Sequence, residues 1–146
     1  MGIQLRAIEF DPCEELAIYQ DKMAERRGKY GAMVSFVGTM RDFNDDRAVQ
    51  AMTLEHYPGM TEKHLRQIRD EALQRWDILD ALIIHRVGEV RPNDPIVLVA
   101  VWSAHRAPAF DACRYLIEEL KTRAPFWKKE QSPESSQWVE HNTPVS

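Results

Sequence analysis

Cysteine is scarce in this chain. Cys13 and Cys113 are the two thiols and no CxxC pair occurs, which excludes a disulfide framework and a thiolate zinc site. The histidines show no HExxH spacing, so no metal is expected. GxGxxG, P-loop and GxSxG patterns are all missing, which removes dinucleotide, P-loop nucleotide and serine-hydrolase chemistry. No apolar run approaches the ~20 residues that span a bilayer. The N-terminal MGIQLRAIEF lacks a signal peptide's apolar region,. Arg6 stands where a myristoylation motif after Gly2 needs Ser or Thr,. The expected location is the cytoplasm, with no membrane contact. A general excess of basic charge is absent too. The formal net charge of −4 offers no footprint for nucleic acid.

What is present is an ordinary globular composition: 146 residues, 44% hydrophobic and 29% charged. That length suits one domain with a real core. Against the acidic background, LKTRAPFWKKE (residues 120–130) concentrates Lys121, Arg123, Lys128 and Lys129 before the first acid, Glu130. Pro125 inside it should end the preceding helix, because its ring clashes with the earlier turn and supplies no N–H. Lys121 then lies on a helix end and Lys128 beyond a bend, so two ammonium groups can aim at one point. Such a point suits an anion, and a lysine there can transfer protons once its pKa is lowered. Phe126 and Trp127 between the charges can wall a pocket. Solvated lysines that merely satisfy the negative end of a helix are the plain alternative.

Residues 3–9 alternate apolar and polar and predict a strand. Asp11-Pro12 reads as the N-cap and first residue of a helix to about Arg27, closed by Gly28. Residues 31–39 predict a strand, 40–48 a polar loop, and 49–57 a strand paired with the one before. After Pro58-Gly59, Thr61 caps a helix to Trp76 with Leu65, Ile68, Ala72 and Trp76 as its buried stripe. Residues 79–87 form another strand and 88–95 a turn. Residues 96–102 are almost wholly apolar, a central strand covered on both faces. Pro108 opens a third helix with Phe110, Cys113, Leu116, Ile117 and Leu120 on one side, where Cys113 is a packed thiol. Residues 126–130 and 137–141 are short closing strands around a loop, SPESS. Strands and helices alternate, but the hairpin-like 31–57 region argues against a purely parallel sheet. The class is α+β.

Other segments carry candidate chemistry. Ser103-Ala104-His105-Arg106 stands at the end of the buried strand and before a helix, a favoured place for ligands in α/β architectures. His105 and Arg106 there suit phosphate, or a helix cap and a surface ion pair. Arg41 follows the 31–39 strand, where Gly38 permits close backbone approach; a solvated loop arginine is the alternative. LEHYPGMTEK (residues 54–63) sets Glu55, His56 and Tyr57 before a fixed turn, which periodicity alone reads as structural.

Taken together and in this order, GAMVSFVGTMRD, TLEHYPGMTEK, IHRVGEV, SAHRAPAFDAC, LKTRAPFWKKE and the late WVE resemble the large, catalytic subunits of molybdopterin synthase. The likeness covers residues 31–140. It implies an α/β hammerhead with an added antiparallel sheet in a single domain. It implies an enzyme of molybdenum cofactor biosynthesis, a sulfurtransferase that makes molybdopterin from cyclic pyranopterin monophosphate. Two dithiolene sulfurs would arrive as a thiocarboxylate on the C-terminal Gly-Gly tail of a small ubiquitin-like partner. No cofactor is implied. The assembly implied is a heterotetramer around a central homodimer. Carried onto this chain, the resemblance makes Lys121 and Lys128 the catalytic candidates. Substrate contacts fall on Thr39, Met40, Arg41, His105, Arg106, Lys121, Lys128, Lys129 and Glu130, with Thr39 and Met40 acting through backbone and Phe36 near the entrance. Met40 and Phe43 depart from the common pattern, and His141-Asn142 replace an arginine found in some relatives. A thiocarboxylate is already nucleophilic, so no reactive cysteine is required. Which lysine is general acid or base stays open. A module that only binds a nucleotide or phosphorylated metabolite, and a scaffold that only docks the tail, are the competing readings.

Overall fold

The computed structural model describes residues 2–44, 47–131 and 136–139. The elements in chain order are β1 (Ile3–Arg6), α1 (Pro12–Lys22), β2 (Ala32–Thr39), β3 (Phe43–Asn44), β4 (Arg47–Ala48), β5 (Ala51–His56) and α2 (Met60–Arg75). They continue with β6 (Asp80–Arg86), β7 (Gly88–Val90), β8 (Pro95–Ser103), α3 (Arg106–Arg123), β9 (Phe126–Gln131) and β10 (Ser136–Val139). Among the described residues two four-stranded sheets form. The first runs β1-β6-β8-β2 and the second β10-β9-β5-β7, with β3 and β4 as a small ribbon. Among the described residues only β1 and β6 pair in parallel; β8 is antiparallel to both of its neighbours, and the second sheet is antiparallel throughout. This is the expected α+β design, an α/β unit with an added antiparallel sheet.

The apolar strand β8 dictates the first sheet. Leu98, Val99, Ala100, Val101 and Trp102 are fully buried, so the strand needs neighbours on both edges and cover on both faces. Ala81, Ile83, Val97, Val99 and Val101 pack under α2 and α3 on one face. Leu82, Ile84, Leu98, Ala100 and Trp102 meet Phe10, Tyr19 and Met23 on the other. Burying those side chains stabilises the fold by roughly 1.5–3 kcal/mol for each large residue. Cys113 is buried here too, and burial pushes its thiol up to about 11. It is a packing residue.

The 49–57 strand was expected to pair with the 31–39 strand. It does not: β2 pairs with β8, and β5 lies between β9 and β7. Met52 and Leu54 on one face of β5 are buried while Glu55 is exposed, a half-buried pattern that belongs in a one-sided antiparallel sheet. The 40–48 loop contains the β3–β4 ribbon, and the 88–95 turn contains β7. Helix α1 ends at Lys22, short of the expected Arg27, because Met23 turns inward to the Trp102 cluster; a 3₁₀ turn, Ala24–Arg26, then leads to Gly28. Phe110 is 60% exposed, one step off the stripe Ala109, Ala112, Cys113, Leu116, Ile117 and Leu120. Trp76 leaves α2 as its extended C-cap and is half-buried against Tyr115.

Thr61 does not cap α2. Gly59 holds the N-cap position at φ +81°, a conformation that favours glycine,. Thr61 is fully buried instead, its Oγ1 accepting from the Tyr57 N–H at 3.0 Å and donating to the Pro125 carbonyl at 3.1 Å. That link pins the bend between α3 and β9. The final strand was expected over 137–141; β10 covers Ser136–Val139, and His141 lies outside the described residues with most of SPESS.

Candidate functional site

Helix α3 ends as Pro125 demands. Ala124 is an extended C-cap whose N–H still reaches Leu120 O, and the Phe126 N–H returns to Ala124 O at 2.9 Å. Lys121 therefore sits in the last helical turn, and the chain reverses at once into β9. Strand alternation divides LKTRAPFWKKE into two faces. Phe126, Lys128 and Glu130 stand opposite His56, Leu54 and Met52 of β5; Trp127 and Lys129 stand opposite Glu55 and Thr53. The first face is the inner one, since Leu54 and Met52 belong to the cluster with Met40, Val49 and Val90. Lys128 thus emerges from an apolar floor beside buried Glu130. Lys129 projects from the other face, away from Lys128, with the 43% exposed Trp127. Lys129 and Glu130, both expected to line the pocket, thus stand on opposite faces of β9, as do Phe126 and Trp127.

The two lysines perturb each other. Burial, then the neighbouring Lys121 charge, lowers Lys128 to about 8, with Glu130 pulling the other way. Burial and Arg41 lower Lys121. Side chains from α3, β9 and the segment after β2 therefore share one electrostatic neighbourhood. A lysine near 8 is mostly protonated at neutral pH, yet it gives up its proton and takes it back far more readily than an ordinary lysine,.

The end of β2 aims Arg41. Its pairing with β8 shifts register between Gly38 and Thr39. A Cβ at Gly38 would sit 2.9 Å from Val97 Cγ1 and 3.3 Å from Phe36 Cε1, so the strand can lie this close only with glycine there. Met40 is buried, its N–H bonded to Asp94 O at 3.0 Å and its carbonyl accepting from Asn93 N–H at 2.8 Å. Its amide is spent inside the chain, so Met40 anchors the backbone one residue before Arg41 and has no N–H to offer a ligand. Thr39 and Arg41 are exposed, and Phe36 is 38% exposed on β2.

His105 and Arg106 lie elsewhere. His105 is the N-cap of α3 and makes no side-chain cap bond, and Ser103 Oγ donates to its carbonyl. Both side chains are exposed. Lys121 follows Arg106 by fifteen residues in one helix, about 22 Å along the axis. One chain does not bring these residues to the lysines.

His85 was missed. It is buried on β6, with its ring stacked on Phe126 at 3.8 Å between centroids and 13° between planes. The alternation of ALIIHRV could have flagged it, because a histidine on the core face of an apolar strand needs a reason. Across the first sheet, a groove lined by Gln4, Arg6, Glu15, Tyr19 and Lys22 is crossed by the Arg6–Glu15 ion pair at 2.8 Å and shares none of these residues. Among the described residues no three His, Cys, Asp or Glu side chains are grouped to hold a metal.

The family model described as MoaE protein matches residues 9–123. The chain belongs to the MoaE protein family. This MoaE-family chain is 52% identical over 138 residues to the molybdopterin synthase catalytic subunit of Ralstonia nicotianae, covering 94% of this chain and 76% of that one. Among solved structures, the molybdopterin biosynthesis MoaE protein of Burkholderia ambifaria superposes with a TM-score of 0.78 at 46% identity, over 94% of this chain and 88% of that one. A protein–protein complex of subunits 1 and 2 of molybdopterin-converting factor from Helicobacter pylori gives 0.79 at 20% identity, over 96% and 91% of the two chains, a likeness of fold. No helix among the described residues of the MoaE-family chain is long and apolar enough to cross a membrane.

Proposed function

We propose that the Lys121–Lys128–Arg41 cluster is the sulfur-insertion site of a molybdopterin synthase catalytic subunit acting on cyclic pyranopterin monophosphate. The observation that carries this reading is the convergence of three cations from three elements, two of them lysines with lowered pKa. Substrate phosphate and a thiocarboxylate tail are both anions and repel each other in an uncharged cleft. Clustered cations offset that repulsion. The thiocarboxylate brings its own nucleophile, so the protein supplies position, charge stabilisation and a proton as the cyclic phosphate opens. One lysine moves the proton and the other stabilises charge. The sulfur donor is a small ubiquitin-like partner whose Gly-Gly tail threads beside Lys121, where larger side chains would block a narrow channel. Thr39 and Arg41 hold the phosphate, Phe36 flanks the entrance, and Glu130 tunes Lys128.

His105 and Arg106 join this site through a second copy of the chain. Strand β2 has β8 on one edge and no strand on the other among the described residues. Met33, Phe36 and Val37 along it are 38%, 38% and 41% exposed, an edge that invites pairing. Ala32 pairs with Ser103 at one end of β2, and Thr39 leads to Arg41 at the other. Two-fold antiparallel pairing of β2 with its copy therefore sets His105 and Arg106 of the second chain beside Arg41 and Lys121 of the first. Two partner subunits on such a homodimer give a heterotetramer. The reaction and its setting are cytoplasmic in this reading.

The test is mass spectrometry of cyclic pyranopterin monophosphate incubated with this chain and a thiocarboxylated partner. A product carrying both sulfurs supports the reading; binding without mass gain overturns it in favour of a binding module or docking scaffold. Val37→Asp should yield monomers by light scattering, and a dimer unaffected by that change would remove β2 from the interface.

A further inference from the structure

We propose that His85 is a positioning residue for Lys128: stacked on Phe126, it clamps β9 to β6 and keeps Lys128 on the dry floor of the cation cluster. The inference rests on the reading that Lys128 works in sulfur transfer, but its own evidence is geometric. His85 follows Ala81 and Ile83 on the same face of β6 and is 5% exposed. Its Nδ1 lies 2.7 Å from the Arg86 carbonyl, so Nδ1 carries the proton and donates it. That bond fixes the ring's plane, and the ring lies nearly parallel to Phe126. Phe126 is two residues before Lys128 on the inner face of β9 and opposite His56 on β5. The stack therefore joins the first sheet to the second one step from the lysine.

The ring's charge state suits the task. Burial first, then Lys128 from β9, Lys121 from α3 and His56 from β5, push His85 down to about 4, against the Arg86 carbonyl that favours its protonated form. The ring is neutral wherever the lysines titrate. A neutral flat ring excludes water from the floor without adding a third cation to the pair. Dehydration is the largest cause of the lowered Lys128 pKa, so a residue that keeps the floor dry sets the proton affinity of Lys128 without touching substrate.

The test reads Lys128 directly, by NMR titration of isotope-labelled lysine side chains in the whole chain, with the signal assigned through Lys128→Arg. The native midpoint is expected near 8. In His85→Ala it should rise by at least about one unit toward the ordinary lysine value of ~10.4. His85→Phe keeps a flat ring on Phe126 and should return the midpoint close to native. Phe126→Leu breaks the same stack from the other side and should repeat the rise, which keeps the test sound should His85→Ala not fold. In the sulfur-transfer assay kcat should follow the midpoint while KM changes less. An unmoved Lys128 midpoint in His85→Ala or Phe126→Leu, with only a lower Tm, overturns the proposal in favour of a merely structural histidine. So does a His85→Phe variant with the midpoint of His85→Ala. A Lys128→Ala variant with full turnover defeats the functional reading instead, and the titration distinguishes the two failures.

Discussion

Within one chain, α3 leaves His105 and Arg106 exposed at its first turn; at its last turn it holds Lys121 half-buried beside Arg41 and Lys128. One helix thus carries basic side chains in two settings. Solvated cations attract anions and do little else, because water screens them and leaves their protons alone. Cations pressed together on an apolar floor lose part of their hold on the proton. Lysine, whose pKa moves readily, is the residue that the dry cluster perturbs, while arginine, which does not release its proton, serves as a fixed charge.

The sharpest way to break this contrast is to remove the dry lysines. Lys121→Ala and Lys128→Ala should each lower kcat by roughly 10²–10⁴ while the fold and the partner complex persist. Near-normal turnover in a purified two-subunit assay would falsify a role for that lysine. Lys128→Arg keeps the charge but not the mobile proton, so it should lose about 100-fold. Arg106→Lys at the wet end should lose only a few-fold; equal losses would erase the distinction. Arg41→Ala should weaken substrate binding about tenfold, or ~1.4 kcal/mol, at unchanged Tm, and a calorimetric affinity equal to native would end its phosphate role.

Titration sharpens the contrast further. If Lys128 is the general base, kcat rises with pH through about 8; if it is the general acid, kcat falls through the same point,. Stability carries a matching sign. The folded pKa lies below the ordinary 10.5, so between about 8 and 10.5 the unfolded chain binds more protons and folding stability rises with pH,. Lys128→Met should flatten that rise in denaturant titrations.

The smallest effect concerns an ion pair outside the lysine cluster, between α3 and α2. Arg123 grips Glu71 with bonds of 2.6 and 3.0 Å, and Tyr115 donates to the same carboxylate at 2.6 Å. Hydrogen bonds from Arg123 and Tyr115 hold Glu71 down to about 2. The benefit is present above the ordinary carboxylate range and is lost as pH falls toward 2. The pair is about a third exposed, so Glu71→Gln should cost only about 1 kcal/mol by urea unfolding.

Much of this was legible in the residues. Pro125 announced the end of α3, and Asp11-Pro12 announced the start of α1, where Asp11 Oδ1 accepts the Cys13 N–H at 2.9 Å. The apolar run of β8 announced a central strand. Partner choice was not legible: β2 and β5 both read as strands, and nothing local says that β2 joins β8 and β5 joins β9, because pairing is decided by which faces must be covered. The two faces of β9 were legible in principle, since alternation alone parts Lys128 from Lys129. Thr61 misled because a threonine before an apolar run looks like a cap, whereas Gly59 takes that place and frees the hydroxyl for Pro125. The path from Lys121 to Arg106 was hidden by adjacency of motifs: a helix of known rise puts its two ends far apart however suggestive both are.

Strand β9 lies between β5 and β10, and its contacts with β5 join residues 70 to 80 positions apart in the chain. Non-local pairings of this kind close late, after the loop entropy of the intervening segment has been overcome. During synthesis the β8 sheet can mature while the ribosome still holds the C-terminal segment. Lys128 reaches its floor only after that segment emerges. A chain truncated near Arg123 is therefore expected to retain much of the α/β layer and none of the chemistry.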